Sequence, residues 1–364
     1  MDKGSLKLGL IEYATGLGFG IVRVASSEPF LLWDSQIAKR KEKDPQSSYR
    51  WTNMVCDPKD LMPEAKSIVV GVWPHIPYKA SFPKGIGRFS AHYKEYPRGR
   101  QAANRLGQFI EEAGYHTVVH PNLPAKEIAY RAGVGYFGKN ALIHTLEYGS
   151  WISLHCILTD APLSPDKGMD RISDCGDCNL CMRACPTGAI GQEGEFTASK
   201  CIRHYMLSSD FVPVDIRDKM GGRMLGCDIC QMVCPFNRES MQKSGLPSTE
   251  EMDLFKIDDI LKEWSRGLKD RMNKMSRLIG GNYARAQKIL SMTVIIAGNS
   301  KDKAYIPHLV NLLKHPHPPI RGHSAWAIGK IAPPDCKDIL DKALKQEKDT
   351  RVRQEIYRAI SLCQ

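Results

Sequence analysis

Eight cysteines between Cys175 and Cys234 constrain this chain more than any other feature. They read Cys175-x2-Cys178-x2-Cys181-x3-Cys185-Pro186, then Cys201, then Cys227-x2-Cys230-x3-Cys234-Pro235. Three thiolates in tight turns bind three irons of one cubane, and the fourth cysteine, before proline, points to a second cluster. The spacing therefore predicts two [4Fe–4S] clusters with crossed ligation. Cys175, Cys178, Cys181 and Cys234 hold one; Cys185, Cys201, Cys227 and Cys230 hold the other. A pair of zinc sites would need two paired motifs, which this pattern lacks. Cys56, Cys156, Cys336 and Cys363 have no partner at ligand spacing and read as ordinary thiols.

Clusters relay electrons and do no chemistry on a substrate alone, so the acceptor is expected elsewhere in the chain. Its 364 residues suggest two or three domains. No run approaches the roughly 18 apolar residues of a membrane span. Met1-Asp2-Lys3-Gly4-Ser5-Leu6-Lys7 has no apolar stretch behind it, so no signal peptide is expected. A secreted disulfide scaffold would be shorter and would spread its cysteines. A cytoplasmic protein with reduced thiols is expected. The net charge of +11 favours an anionic partner such as nucleic acid.

Residues 1–165 read as mixed α and β. Leu6, Leu10, Tyr13, Ala14 and Leu17 recur at helical spacing, and Gly18 and Gly20 stop that helix. Ile21–Val24, Ser67–Trp73, Thr117–Val119 and Ile152–Thr159 read as strands, 102–113 as a helix, and 34–60 as a polar surface excursion. Gly133-x-Gly135-x-x-Gly138 has the letters of a dinucleotide loop. It follows a helical segment from Lys126 to Arg131, not a strand, which argues against a Rossmann site.

Beyond Ile257 the chain reads as helical. Helices at Ile306–Leu313, Ile320–Ile331, Ile339–Leu344 and Val352–Ile360 form two similar pairs, with Ile320-Arg321 recurring as Val352-Arg353. Paired short helices at this period suggest a HEAT-like repeat. From Ser265 to Ile279, Leu268, Met272, Met275 and Ile279 share one helical face. Arg266, Lys269, Lys274 and Arg277 share the other.

Three groups of residues together resemble the epoxyqueuosine reductase family over nearly the whole chain. The first is Ala129-Tyr130-Arg131-Ala132-Gly133-Val134-Gly135-Tyr136-Phe137-Gly138-Lys139-Asn140 with Tyr148-Gly149-Ser150-Trp151. The second is Cys185-Pro186-Thr187-Gly188-Ala189 with Gly226-Cys227-Asp228-Ile229-Cys230-Gln231. The third is Ile320-Arg321-Gly322-His323-Ser324-Ala325-Trp326-Ala327-Ile328-Gly329-Lys330-Ile331. The resemblance implies an α+β fold in three parts. These are a nitroreductase-like corrinoid-binding domain (1–165), a ferredoxin-like two-cluster domain (166–240) and a helical HEAT-like domain (241–364).

The resemblance also implies chemistry: a cobalamin held base-off and reduced by the clusters, and reduction of epoxyqueuosine to queuosine at the tRNA wobble position. A low-potential donor such as ferredoxin or flavodoxin would feed a monomeric enzyme. Tyr130, Lys139, Asn140, Gly149 and Ser150 would line the corrinoid. Arg266, Lys269, Lys274, Arg277 and Arg321 would meet tRNA phosphates, which Arg and Lys contact without reading sequence. Arg285 and Lys288 would extend that patch.

Two positions depart from the family. Its V-D-S/T aspartate, the proton donor to the opening epoxide, falls on Val119, fourteen residues before Gly133. The adjacent His120 is the titratable alternative, although neighbours on a strand point to opposite faces. An arginine upstream of Pro63-Glu64-Ala65-Lys66-Ser67 is also replaced, with Val55 near its place. These departures leave two alternatives open. One is a paralogue reducing another substrate with the same cofactors. The other is an electron-transfer protein that reductively activates a second corrinoid protein.

Overall fold

The computed structural model describes residues 3–47, 53–192, 195–206 and 208–363. Residues 48–52 of the expected polar excursion thus lie outside the described residues. The chain divides into two compact units, interleaved in sequence. One comprises Met1–Pro77, Lys94–Ser199 and Asp228–Ser244; the other comprises Tyr78–Tyr93, Lys200–Cys227 and Gly245–Gln364. The strands are β1 (Ile21–Ser26), β2 (Ser67–Pro74), β3 (Arg88–Phe89), β4 (Thr117–Val119), β5 (Tyr136–Phe137), β6 (Ile143–His144), β7 (Ile152–Thr159) and β8 (Arg223–Leu225).

The first unit is built on an antiparallel sheet in the order β1-β2-β7-β4. Ser67 to Val72 are all buried, because helices cover both faces of this central strand. Alternation sends Ile68, Val70 and Val72 to one side, with Phe30, Trp33, Ile128 and Leu158. It sends Val24, Val69 and Ile157 to the other, with Leu6, Leu10, Leu106 and Ile110.

Two helices differ from expectation. Leu31–Lys43 runs into the supposed polar excursion; only Trp33 and Ile37 of it are buried, too few for a visible apolar stripe. The helix expected at 102–113 runs from Ala91 to Glu112 and contains Pro97. Gly99 lets the helix approach the sheet closely there, since a Cβ would lie 2.4 Å from His155 Nε2 and 2.9 Å from Trp73 Cβ.

The second unit is largely helical. β3 pairs in parallel with β8, and Phe89 stacks on Phe255 with centroids 4.0 Å apart. The expected repeat is present as helices Ile306–Leu312, Pro318–Ile331, Cys336–Gln346 and Thr350–Ile360. Their core encloses Arg217. Its guanidinium pairs with Glu355 at 2.6 Å and lies over the Trp326 ring, and its Nε donates to the Val212 carbonyl. His323 is fully buried between Ser291 Oγ (2.8 Å) and the Val212 N–H (3.0 Å). Burial holds it well below the ordinary histidine pKa, so it is neutral.

One cysteine expectation is corrected. Cys336 and Cys363 form a disulfide, with Cα atoms 5.6 Å apart. The helices they bracket fold back on each other and bring the start of one beside the end of the next, which metal-ligand spacing does not reveal. Cys56 and Cys156 are free, and burial pushes the Cys156 thiol up to about 12. Among the described residues no helix is long and apolar enough to cross a membrane.

Candidate functional site

The four cysteines assigned to the first cluster come together in the first unit. Gly176, at φ +47°, turns the loop so that Cys178 N–H reaches the Cys175 carbonyl at 3.0 Å. Cys181 lies in the short helix Leu180–Ala184, and Cys234 follows Ile229–Met232. Burial first, then the charges of Cys175, Cys181 and Cys178, push the Cys234 thiol up to about 11. Burial and Cys175 likewise raise Cys181. Crowding by neighbouring thiols, as at Cys181 and Cys234, suits a cationic iron core, which deprotonates its ligands on binding. A cubane spreads its ligands over four irons, so they need not converge on one point. Among the described residues no three His, Cys, Asp or Glu side chains do so.

Cys185 is prepared differently. Burial opposes its ionisation, but Thr187 Oγ1 (3.6 Å) and the Ala189 N–H (3.3 Å) bring its thiol below the ordinary value. That favours the thiolate, the form that binds iron. Cys201 and Cys227 belong to the second unit. The Cys201 carbonyl accepts the His204 N–H and starts the helix Ile202–Met206.

The residues expected at the corrinoid tie the α/β layer to the cluster loops. Lys139 Nζ donates to the carbonyls of Gly176 (2.6 Å) and Cys178 (3.1 Å). Asn140 is buried, with its Oδ1 accepting from Leu142 N–H and facing His144 Nε2 at 3.2 Å. Gly149 has φ +56°, and a Cβ there would fall 2.1 Å from Asn237 Oδ1. Ser150 N–H donates to that same oxygen, and its hydroxyl donates to Gln231 Oε1 at 3.1 Å. Tyr130 is half-buried against Phe137.

Sequence reasoning missed Asn237. Its signal is the position three residues after Cys234, behind Pro235. Tyr136, which belongs to the segment 129–140 singled out in the sequence and could cover the corrinoid face with Tyr130, stacks on His144. Burial, then Asp174, Cys175 and Cys234, push that phenol up to about 12. His144 Nδ1 and Trp151 Nε1 are buried polar atoms with no protein partner among the described residues. Flanking the segment that packs on Asn237, they offer hydrogen-bonding capacity suited to the amide arms of a corrinoid.

Val119 and His120 are not on opposite faces, contrary to the strand rule. His120 has φ +59°, which ends β4 and turns its ring. Both side chains lie along the helix Ala91–Glu112: Val119 Cγ2 against Gly107, and His120 Nε2 3.2 Å from the Arg100 carbonyl. The His120 ring is 5.8 Å from that of His155, whose Nε2 meets Ser153 Oγ at 3.0 Å. Burial first, then Arg100, lower the His120 pKa.

In the second unit the amphipathic helix is shorter than expected: it runs from Lys269 to Ile279, and Gly267, at φ +91°, separates it from the short turn Trp264–Arg266, so Arg266 lies off the helical face. Leu268, Met272, Met275 and Ile279 are buried, while Arg266, Lys269, Lys274 and Arg277 are exposed. Arg321 is a correction. Its Nε and Nη2 grip Glu347 at 2.7 and 2.9 Å, and its Nη1 donates to the carbonyls of His315 and Pro316. This fork takes up the guanidinium that was expected to meet phosphate.

Known proteins extend this picture. Residues 174–237 match the family described as 4Fe-4S double cluster binding domain, and residues 284–361 match HEAT repeats. The epoxyqueuosine reductase of Bacillus subtilis (strain 168) is 31% identical, over 100% of this chain and 97% of its own. That of Bacillus cereus is 30% identical over 100% and 98%. A crystal structure of epoxyqueuosine reductase with an epoxyqueuosine-modified tRNA-Tyr stem loop superposes with a TM-score of 0.87, at 30% identity over 100% of both chains. With the cluster cysteines, the repeat and the full-length fold in agreement, this chain belongs to the epoxyqueuosine reductase family.

Proposed function

We propose that this protein reduces epoxyqueuosine to queuosine in tRNA, in the cytoplasm, with two [4Fe–4S] clusters and a cobalamin. Full-length agreement with epoxyqueuosine reductases in sequence and fold carries the proposal. Cobalamin, when bound, supplies a strongly reducing metal centre for opening the epoxide. The chain's own residues do the rest. The cluster cysteines bring electrons from a low-potential donor such as ferredoxin or flavodoxin. Trp151 Nε1 and His144 Nδ1 are proposed to hold the corrinoid, with Tyr130 at its edge. Lys139, Asn140, Gly149 and Ser150 position the cluster loops beside it.

His120 is the proposed proton donor to the opening oxygen. It is the titratable side chain in Val118-Val119-His120-Pro121-Asn122, where Val119 offers no proton. A depressed pKa makes its protonated form a stronger acid. Arg266, Lys269, Lys274 and Arg277 would hold tRNA phosphates.

The test is anaerobic turnover of an epoxyqueuosine-modified tRNA stem loop by the cobalamin-loaded protein, with queuosine read by mass. Product formation supports the proposal. Retained iron and cobalamin without product would favour a second substrate, the alternative to which Val119 points.

A further inference from the structure

Arg203 occupies an unusual place for a charge. Its side chain is half-buried and lies against the buried Tyr93. Its Nε donates to Tyr93 Oη at 3.1 Å, and the guanidinium carbon lies 5.8 Å from the Tyr93 ring centroid. Tyr93 is itself 1% exposed and meets Tyr283 edge-on at 4.8 Å. No carboxylate among the described residues pairs with Arg203. A cation held against buried rings without a carboxylate is unfavourable unless another anion compensates it.

The surroundings name that anion. Arg203 lies two residues after Cys201, on the helix that the Cys201 carbonyl starts. Tyr93, its anchor, packs on Gly226: a Cβ there would fall 2.8 Å from Tyr93 Cε2. Gly226 immediately precedes Cys227. The Arg203–Tyr93 pair therefore adjoins both cysteines of the second unit that the spacing assigns to the second cluster. An iron–sulfur cluster with four thiolates is a net anion, and it gains a further negative charge on reduction.

We propose that Arg203, held on the ring and hydroxyl of Tyr93, is the counter-ion of the cluster ligated by Cys201 and Cys227 and raises its reduction potential. The inference rests on the two-cluster relay. Nearby positive charge favours the more negative, reduced cluster, and net charge and hydrogen bonding are recognised determinants of cluster potential. Arg203 is a positioning residue for electron flow and does not touch the substrate.

The experiment is an anaerobic potentiometric titration of the holoprotein, followed by electron paramagnetic resonance. It is run on the intact cluster pair and in a Cys178→Ala background, where the second cluster titrates alone. Arg203→Met should hold about eight irons and lower the reduced-to-oxidised ratio of the second cluster at least tenfold at fixed potential. That is about 59 mV for one electron. Arg203→Lys should restore most of it, and Tyr93→Phe, which removes the hydroxyl anchor, should give a smaller shift of the same sign. Unchanged potentials in Arg203→Met overturn the proposal. If that variant loses iron, Tyr93→Phe decides, and an unchanged potential there overturns it. A parent protein with only about four irons would instead sink the ligand assignment, and this inference with it, by the iron count alone.

Discussion

Ser150 and Asn237, 87 residues apart, exchange two hydrogen bonds. The Ser150 N–H donates to Asn237 Oδ1 at 2.8 Å, and Asn237 Nδ2 donates back to Ser150 Oγ at 2.9 Å. Asn237 Nδ2 also donates to the Gln231 carbonyl, and both residues are buried. Asn237→Ala would strand the buried Ser150 N–H and remove a donor from the half-buried Gln231 carbonyl, at a cost of roughly 1–3 kcal/mol. The expected result is a lower unfolding midpoint of the holoprotein and faster iron loss to a chelator, both read anaerobically.

Cys178→Ala should remove the first cluster and spare the second. Iron should fall from about eight to about four per chain, with the remaining cluster still reducible by dithionite. Retention of all the iron would show that Cys178 is not a ligand.

The exposed basic face and Arg321 should respond differently. Lys274→Glu and Arg277→Glu should weaken stem-loop binding, each flattening the dependence of log affinity on log salt by about one unit. Arg321→Ala should leave that slope alone and destabilise the fold by roughly 1–3 kcal/mol, through loss of its charged hydrogen bonds to Glu347. A reduced salt slope in Arg321→Ala would return this residue to the tRNA surface.

Stability should fall on mild acidification. Burial, then His120 and Arg100, take His155 from 6.5 to about 3, and burial holds His323 well below 6.5. Each therefore takes up its proton in the unfolded chain first. The unfolded state binds more protons below pH 6.5, so stability is full above that value and declines as pH drops toward 3. Chemical denaturation of the holoprotein between pH 7.5 and pH 5 should show the decline, and His155→Phe should flatten part of it. A profile that rises toward acid would contradict the buried neutral states.

Cys363→Ser should destabilise the terminal repeat in non-reducing buffer by about 2–4 kcal/mol, since the bridge closes a separation of 27 residues. With reductant present, parent and variant should unfold alike. Equal stability in both buffers would mean that the bridge does not form in solution.

The double-cluster domain was legible because the cysteine spacing demands turns that suit iron–sulfur cubanes. The sheet was legible as well: Ser67–Trp73 and Ile152–Thr159 carry strand residues between clear stops. The basic helix showed itself through four apolar positions at helical spacing. What escaped was set by tertiary contact. Nothing local distinguishes Arg321, bound to Glu347, from an arginine facing solvent. Gly149 reads as a turn, but Asn237 is what excludes a side chain there. His120 looked as if it faced away from Val119 until its positive φ turned it. The bridge between Cys336 and Cys363 depends on two helices folding back, which no spacing rule encodes.

Phe89 and Tyr93 lie in Tyr78–Tyr93, a segment of a unit whose remaining residues are all encoded after position 199. During synthesis Tyr78–Tyr93 leaves the ribosome long before β8, Phe255 and Tyr283 exist to receive it. The nascent chain must carry those aromatic side chains before the partners they pack on in the finished unit have been made. A gene fragment ending at residue 165 would leave them without those partners permanently. The boundary between the parts of this protein is therefore not a place where evolution or an engineer can cut, and its two units are obliged to be inherited together.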